Sequence, residues 1–385
     1  MDAKHKLDQY FTTAAELQAK VVSFILRQPV RILEPSVGRG HLVAATCAVH
    51  PNIKFDMYEI DRSVKPLAGL PGNIIWGDFM AQSIEYKYDT IIGNPPYVRT
   101  RAGNLYIDFI EKCFGLLAPQ GELIFIVPAD FFKLTSAARV LTAMHNEGVF
   151  THVYHPHNER LFEGAHIDII VFRYCRDPTA PKQTLYNDDL MTTDHSAGLI
   201  TFSALGDNTN EANLFSEYFN IYVGLVSGRE SVYRNATYGN IDVICGDNLV
   251  ERYIFLSKFP SDNEGLNEYM LSHKADLMAR RIRKFGEHNW FEWGAPRNLD
   301  AVVAAAGRPC IYVYNLTRRP RVAFAGTVGY FGGGLLMLVP KRECSLERIV
   351  EYLNSSAFKK NFIFSGRFKI GHRQICNSTI PAEYL

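Results

Sequence analysis

Four short apolar runs, each leading to an acceptor side chain, constrain the fold of this 385-residue chain more than any other feature. Val30-Arg-Ile-Leu33 runs into Glu34, and Phe55-Asp-Met-Tyr-Glu-Ile-Asp61 carries Glu59 near its end. Ile74-Ile-Trp-Gly-Asp-Phe79 carries Asp78, and Asp89-Thr-Ile-Ile-Gly93 runs into Asn94. Runs of this length that do not alternate fit strands buried on both faces, as in a parallel sheet covered by helices. Helical spacing at Leu42 to Val49, Leu105 to Leu117 and Ser136 to Glu147 supplies crossovers. The acceptors then line up along the carboxyl edge of the sheet, where open α/β sheets bind ligands.

The turns along that edge carry the chemistry. In Glu34-Pro-Ser-Val-Gly-Arg-Gly-His41, Gly38 and Gly40 let the backbone approach a ligand closely, but the third glycine of the dinucleotide fingerprint is absent. Glu59 is placed for a ribose diol to donate to its carboxylate, and Asp78 to accept from an adenine amine while Phe79 covers the ring. In Asn94-Pro95-Pro96-Tyr97 the prolines fix φ and lack N–H groups, so the turn is stiff and presents acceptors. The Asn94 oxygen and the Pro95 carbonyl suit one planar –NH2 group, with the Tyr97 ring beside it. Arg99 and Arg101 follow directly and are positioned for phosphate. Upstream, Gln9-Tyr-Phe-Thr-Thr13 leads into a helix from Ala14 to Leu26 that Thr12 or Thr13 can cap. Downstream, Glu122 to Pro128, Thr151 to Tyr154 and Ile167 to Tyr174 read as the last strands, with Phe162 overhanging the same edge.

Composition divides the chain. A hydrophobic content of 47% supports a sizeable core, and the Pro-containing stretch Asp177 to Lys182 separates residues 1–178 from an α+β region, 179–385. That region reads as short strands mixed with a basic helix, Lys274 to Phe285, and a late helix, Leu346 to Leu353. Residues 251–385 carry 20 Lys+Arg against 12 Asp+Glu, whereas residues 1–250 carry 21 against 28. The last third is therefore the face for a polyanion, with Arg280, Arg281 and Arg283 the expected contacts. Seven cysteines without a C-x-x-C pair argue against a disulfide framework and a zinc site. No apolar run approaches a membrane span, so a soluble, cytoplasmic protein is expected.

Together these motifs resemble the S-adenosylmethionine-dependent DNA adenine-N6 methyltransferases of the TaqI type, with cofactor motifs, catalytic motif and target-recognition domain in that order. The resemblance covers residues 9–174 and implies a Rossmann-like, doubly wound α/β sheet followed by a DNA target-recognition domain. It implies that Thr12 meets the methionine end of the cofactor and that Glu34, Pro35, Ser36, Gly38 and Gly40 form its cradle. Glu59 and Ile60 would hold the ribose, and Asp78 and Phe79 the adenine. Asn94, Pro95, Pro96 and Tyr97 would form the catalytic turn, with Phe162 a second contact to a flipped base. Thr13 stands where the family often has proline, and the Phe162 segment lacks a strong motif. The implied partners are S-adenosyl-L-methionine and double-stranded DNA, bound as a monomer without a metal, with a cognate restriction endonuclease as a possible companion. An RNA base methyltransferase, a glutamine-amide methyltransferase and a non-enzymatic binding module are the competing readings.

Overall fold

The computed structural model describes residues 10–99, 103–204 and 213–385. Two compact units divide the chain: one reaches Asp207 and adds Phe364–Gly366, and the other comprises Asn208–Ile363 and Arg367–Leu385.

The first unit is built on α1 (Ala15–Ser23), β1 (Arg31–Glu34), α2 (His41–Val49), β2 (Lys54–Glu59), β3 (Ile74–Trp76), β4 (Tyr88–Gly93), α3 (Leu105–Leu116) and β5 (Leu117–Pro128). It continues through α4 (Ala138–Glu147), β6 (Val149–Tyr154), β7 (Ile169–Cys175), β8 (Gln183–Tyr186), β9 (Asp189–Ser196) and β10 (Leu199–Ala204). One ten-stranded sheet runs β10-β9-β8-β6-β7-β5-β4-β1-β2-β3. Strands β1 to β5 are parallel, and β7 inserts antiparallel between β5 and β6. The α/β expectation holds, with a mixed rather than all-parallel sheet.

Side-chain alternation explains the two layers. Ile92, Ile124 and Ile126 point to the face covered by Leu17 and Val21 of α1 and Leu42 and Val43 of α2. Ile91, Leu123, Phe125 and Val127 point to the face covered by α3 and α4, through residues such as Ile110, Leu141 and Met144. Both faces are therefore sealed, each buried aliphatic contributing roughly 1.5–3 kcal/mol. Strand order reverses between β1 and β4, so their following loops diverge and leave a crevice at the carboxyl edge.

The N-terminal segment reaches this crevice because α1 is tied to the sheet. Glu122, fully buried on β5, pairs with Arg173 of β7 at 2.7 Å and accepts the Leu26 and Arg27 backbone N–H groups just past α1 at 3.3 and 3.2 Å. Thr90 Oγ1 donates to it at 2.9 Å as well, so the buried charge is fully partnered.

Three expectations change here. The sheet does not end with β7: β8 pairs parallel with β6, and β9 and β10 extend it, so the first unit runs about 30 residues past 178. Neither threonine caps α1; its N-cap is Ala14, without a side-chain bond. The basic helix over 274–285 stops after one turn and a half, as described next.

The second unit contains β11 (Phe219–Val223), the hairpin β12 (Ile241–Gly246) and β13 (Leu249–Tyr253), α5 (Glu264–Ser272), α6 (Lys274–Met278), β14 (Pro309–Tyr314) and β15 (Leu316–Thr317). Then come β16 (Ala323–Thr327), β17 (Leu335–Pro340), α7 (Leu346–Asn354) and β18 (Arg367–Lys369). An antiparallel sheet runs β11-β17-β14-β16, and Ile349 and Leu353 of α7 pack on Ile311, Val313 and Leu338. α6 ends at Met278 because Arg280 turns inward: its guanidinium donates to the Leu277, Ser227 and Trp290 carbonyls at 2.7, 2.7 and 2.6 Å. The Phe285 ring lies 3.8 Å from that guanidinium carbon. Arg280 is thus buried structure rather than a surface cation, which corrects its expected DNA contact.

Candidate active site

The crevice holds a cleft of about 230 Å³ lined by the residues the strand ends converge on, among them Pro35, Ser36, Gly38, Glu59, Ile60, Asp78, Phe79 and Asn94. A smaller recess of about 30 Å³ adjoins it through shared walls and adds Thr12, Glu34, Arg39 and His41. Gly38 and Gly40 both take left-handed φ, +55° and +84°, which L side chains rarely adopt. A Cβ on Gly38 would also stand 3.1 Å from the Phe11 ring. Gly40 does not line the cleft; it starts α2 with its own Cβ space filled by Leu70.

The acidic groups differ in state. Glu34 is buried, accepts the Ser36 N–H at 3.2 Å, and burial pushes its pKa up to about 8, with the neighbouring Glu59 adding to the rise. Glu59 also lies above the usual carboxylate range through burial, although the Gly38 and Asp61 N–H groups bond it at 2.9 and 2.8 Å. Those two bonds orient its oxygens and leave lone pairs toward the cleft. Asp78 is exposed and spends one oxygen on the Met80 N–H at 2.8 Å, capping the short turn Phe79–Ala81. Phe79 is buried, edge-on to Tyr58 and 5.4 Å from Phe109 between ring centres. His41 is held below the ordinary imidazole range, chiefly by burial and then by Arg39.

At the Asn94–Tyr97 turn, Asn94 Nδ2 donates to the Tyr10 carbonyl at 2.7 Å and to Thr12 Oγ1 at 3.1 Å. These partners assign the amide orientation and hold Oδ1 as an acceptor. Tyr97 Oη lies 2.7 Å from that oxygen and 3.1 Å from the Ile126 carbonyl, so its single proton goes chiefly to Asn94 Oδ1, and its buried phenol lies well above its usual range. One lone pair of Asn94 Oδ1 stays available. Pro95 is buried and Pro96 lines the cleft. Phe162 is buried rather than overhanging, 6.3 Å from the Tyr97 ring centre at a steep angle. Tyr10 lies 5.8 Å from Tyr97 and 5.6 Å from Phe162, which completes a cluster of three rings.

Tyr10 and Lys112 are the residues that sequence reasoning passed over. The aromatic pair Tyr10-Phe11 directly before Thr12 was a usable signal; Lys112 had none. Its Nζ donates to the Phe79, Met80 and Gln82 carbonyls at 2.5, 3.0 and 2.6 Å. Of the expected DNA contacts, Arg99 and Arg281 are exposed, Arg283 pairs with Glu292 at 2.6 Å, and Arg101 lies outside the described residues. No group of three or more His, Cys, Asp or Glu side chains arranged to hold a metal occurs among the described residues, and no helix among them is long and apolar enough to cross a membrane. All seven cysteines are free thiols.

Residues 73–162 match the Eco57I restriction-modification methylase family. That segment carries the Asn94–Tyr97 turn. Over 212 residues the chain is 26% identical to the Type II methyltransferase M.HincII of Haemophilus influenzae, covering 48% of this chain and 40% of that protein. Over 121 residues it is 34% identical to the Type II methyltransferase M.CvrRI of Paramecium bursaria Chlorella virus XZ-6E, covering 28% and 32%. The matches thus span well under half the length of these curated relatives. Among solved structures, the Type IIL restriction-modification enzyme MmeI in complex with DNA shares the fold: TM-score 0.55 at 10% identity, over 97% of this chain and 64% of that one.

Proposed function

We propose that this protein is a DNA methyltransferase that uses S-adenosyl-L-methionine to methylate the N6 amine of an adenine rotated out of duplex DNA. The observation that carries the reading is Asn94, whose amide is clamped on its nitrogen side so that the oxygen faces outward beside a cleft suited to a nucleoside. The cleft fits the cofactor by its donor set. Glu59 can accept from a ribose diol, and Ile60 and Phe79 supply an apolar seat for a base, with Asp78 at its rim. The adjoining recess combines Arg39, a cation suited to the carboxylate of an amino acid, with the Glu34 carboxyl, which would ionise when an ammonium neutralises it, and Thr12 reaches from the recess to Asn94. When bound, S-adenosyl-L-methionine supplies a methyl group made electrophilic by its sulfonium sulfur.

The chain's own work is positioning. Asn94 Oδ1 and the Pro95 carbonyl draw the two amine hydrogens, which takes the nitrogen lone pair out of conjugation and frees it to attack. Tyr97 keeps the Asn94 oxygen in place through its hydroxyl. Tyr10 packs tilted against the Tyr97 ring, 5.8 Å between centres, so a base stacking on Tyr97 would lie beside Tyr10. Thr12 and the Tyr10 carbonyl hold the amide from behind, which explains why the N-terminal segment lies over the crevice. The amine proton leaves to solvent after the transfer.

DNA as the substrate is supported by the restriction-modification relatives and by the basic second unit, and a restriction endonuclease partner accords with them. The test is expression in a host that lacks adenine methylation, followed by sequencing that reports modified bases. Methylated adenine at one sequence context is expected, and Asn94→Ala should abolish it while calorimetry still records cofactor binding. Transfer by Asn94→Ala within about tenfold of wild type, under about 1.4 kcal/mol of barrier, would remove the catalytic role.

A further inference from the structure

We infer that the second unit grips the DNA phosphate backbone through one compact face, formed by β18 and the turn that follows β15. This rests on the proposed DNA substrate and names the surface that meets it. Two long stretches of the chain contain no Asp or Glu at all, Ala301 to Arg342 and Tyr352 to Ala382. Folding lays them side by side: β15 pairs antiparallel with β18, Leu316 opposite Lys369 and Thr317 opposite Phe368.

Alternation along β18 then sorts the side chains. Phe368 is buried against Phe358 and Phe362, so Arg367 and Lys369 point to the opposite face, where both are exposed. Arg318 and Arg319 continue from β15 and are exposed too. Lys359 Nζ donates to the Pro320 carbonyl at 2.9 Å, which pins the turn beside Lys360. The result is a cluster of cations on a braced backbone, drawn from stretches of the chain that contain no Asp or Glu. Among the described residues Arg318 and Arg367 enter no ion pair, and Arg321 reaches only Asp247, at 4.0 Å.

The 274–293 segment has fewer cations left unpaired than this face has. There three of the five cations are occupied, Lys274 by Glu287, Arg283 by Glu292 and Arg280 by carbonyls, which leaves Arg281 and Lys284 exposed. A cation already paired releases few counterions when it meets a phosphate, whereas an unpaired one contributes its full share to salt-dependent affinity. The chemistry fits a phosphate-lined polyanion, and the partner is duplex DNA.

Full-length protein, a fluorescently labelled DNA duplex and anisotropy titrations across a range of KCl test the inference. Arg318→Gln with Arg367→Gln should weaken binding at low salt and flatten the slope of log K against log salt by about 1.8, at roughly 0.9 per phosphate contact. Arg229→Gln, which removes a cation paired with Asp276 at 3.1 Å, should leave the slope unchanged. A double variant with wild-type slope and affinity overturns the surface, the more so if Arg283→Gln flattens the slope instead. Wild-type protein that fails to bind the duplex at low salt defeats the DNA reading itself, a distinct result. Both arginines are exposed, so melting curves should match wild type, and Arg319→Gln with Lys360→Gln provides a second pair of exposed cations expected to flatten the slope in the same direction.

Discussion

Glu34 shows how one side chain can carry both a fold and a site. It closes β1, sits under the glycine turn, and its oxygen lies where a side chain on Gly93 would have to go, 3.1 Å away. Its carboxyl is raised from 4.5 to about 8 in the folded protein, so the folded state holds a proton that the unfolded chain gives up. For an acid shifted upward, the linked stability is fully present below about pH 4.5 and is lost as pH rises through about 8. Denaturant titrations of the ligand-free protein should therefore show stability falling across that window, and Glu34→Gln should flatten the fall. An identical slope in the variant would show that Glu34 does not titrate there. The Asn94 turn was legible because a Pro-Pro turn after an apolar strand restricts the backbone locally. Tyr10 was not, because its place between Tyr97 and Phe162 depends on where the chain folds back.

At the scale of elements, α3 links the two ends of the cleft. Its first turns put Leu105 and Phe109 on the wall, and one turn later Lys112 gathers three carbonyls of the 79–82 turn, with its ammonium 4.6 Å from the Phe79 ring centre. All three ammonium donors are used, so the side chain positions the turn rather than meeting a ligand. Burial holds this lysine below its ordinary range, partly offset by Cys113 and Asp78. Lys112→Met should leave those carbonyls without their donor and loosen Phe79, raising the cofactor Kd by roughly tenfold, about 1.4 kcal/mol, measured by calorimetry. Catalysis at saturating cofactor should stay within a few-fold. A large loss of kcat with unchanged cofactor affinity would contradict the positioning role. The sequence showed a helix here from its apolar spacing, but a lysine on an amphipathic helix reads as solvated until the neighbouring turn is known to approach it.

For the whole molecule, the end of the first unit matters most. The Asp177–Lys182 stretch has the composition of a linker, yet β8 to β10 follow it and remain in the sheet. Thr184 is buried and bonds the Phe150 carbonyl and Thr193, and Ile200 and Phe202 complete the core beneath Phe132. A chain ending at residue 178 should expose the β6 edge and these apolar residues, and so melt lower and aggregate. A chain carried to residue 207 should retain a cooperative transition. Equal melting temperatures for the two would mean that β8 to β10 add nothing to the unit.

What the sequence determined by itself is what depends on near neighbours along the chain. Strand-turn-helix alternation, the acceptor at each strand end, the glycine turn and the stiff Asn94–Tyr97 turn all follow from local backbone limits and periodicity. The charge imbalance was equally visible, since it is only a sum. Which arginines are free to act was decided by tertiary structure: burial took Arg280, a carboxylate took Arg283, and strand pairing gathered Arg318 with Arg367 from positions 49 residues apart. A charge is a property of a residue, but its availability is a property of what folds against it.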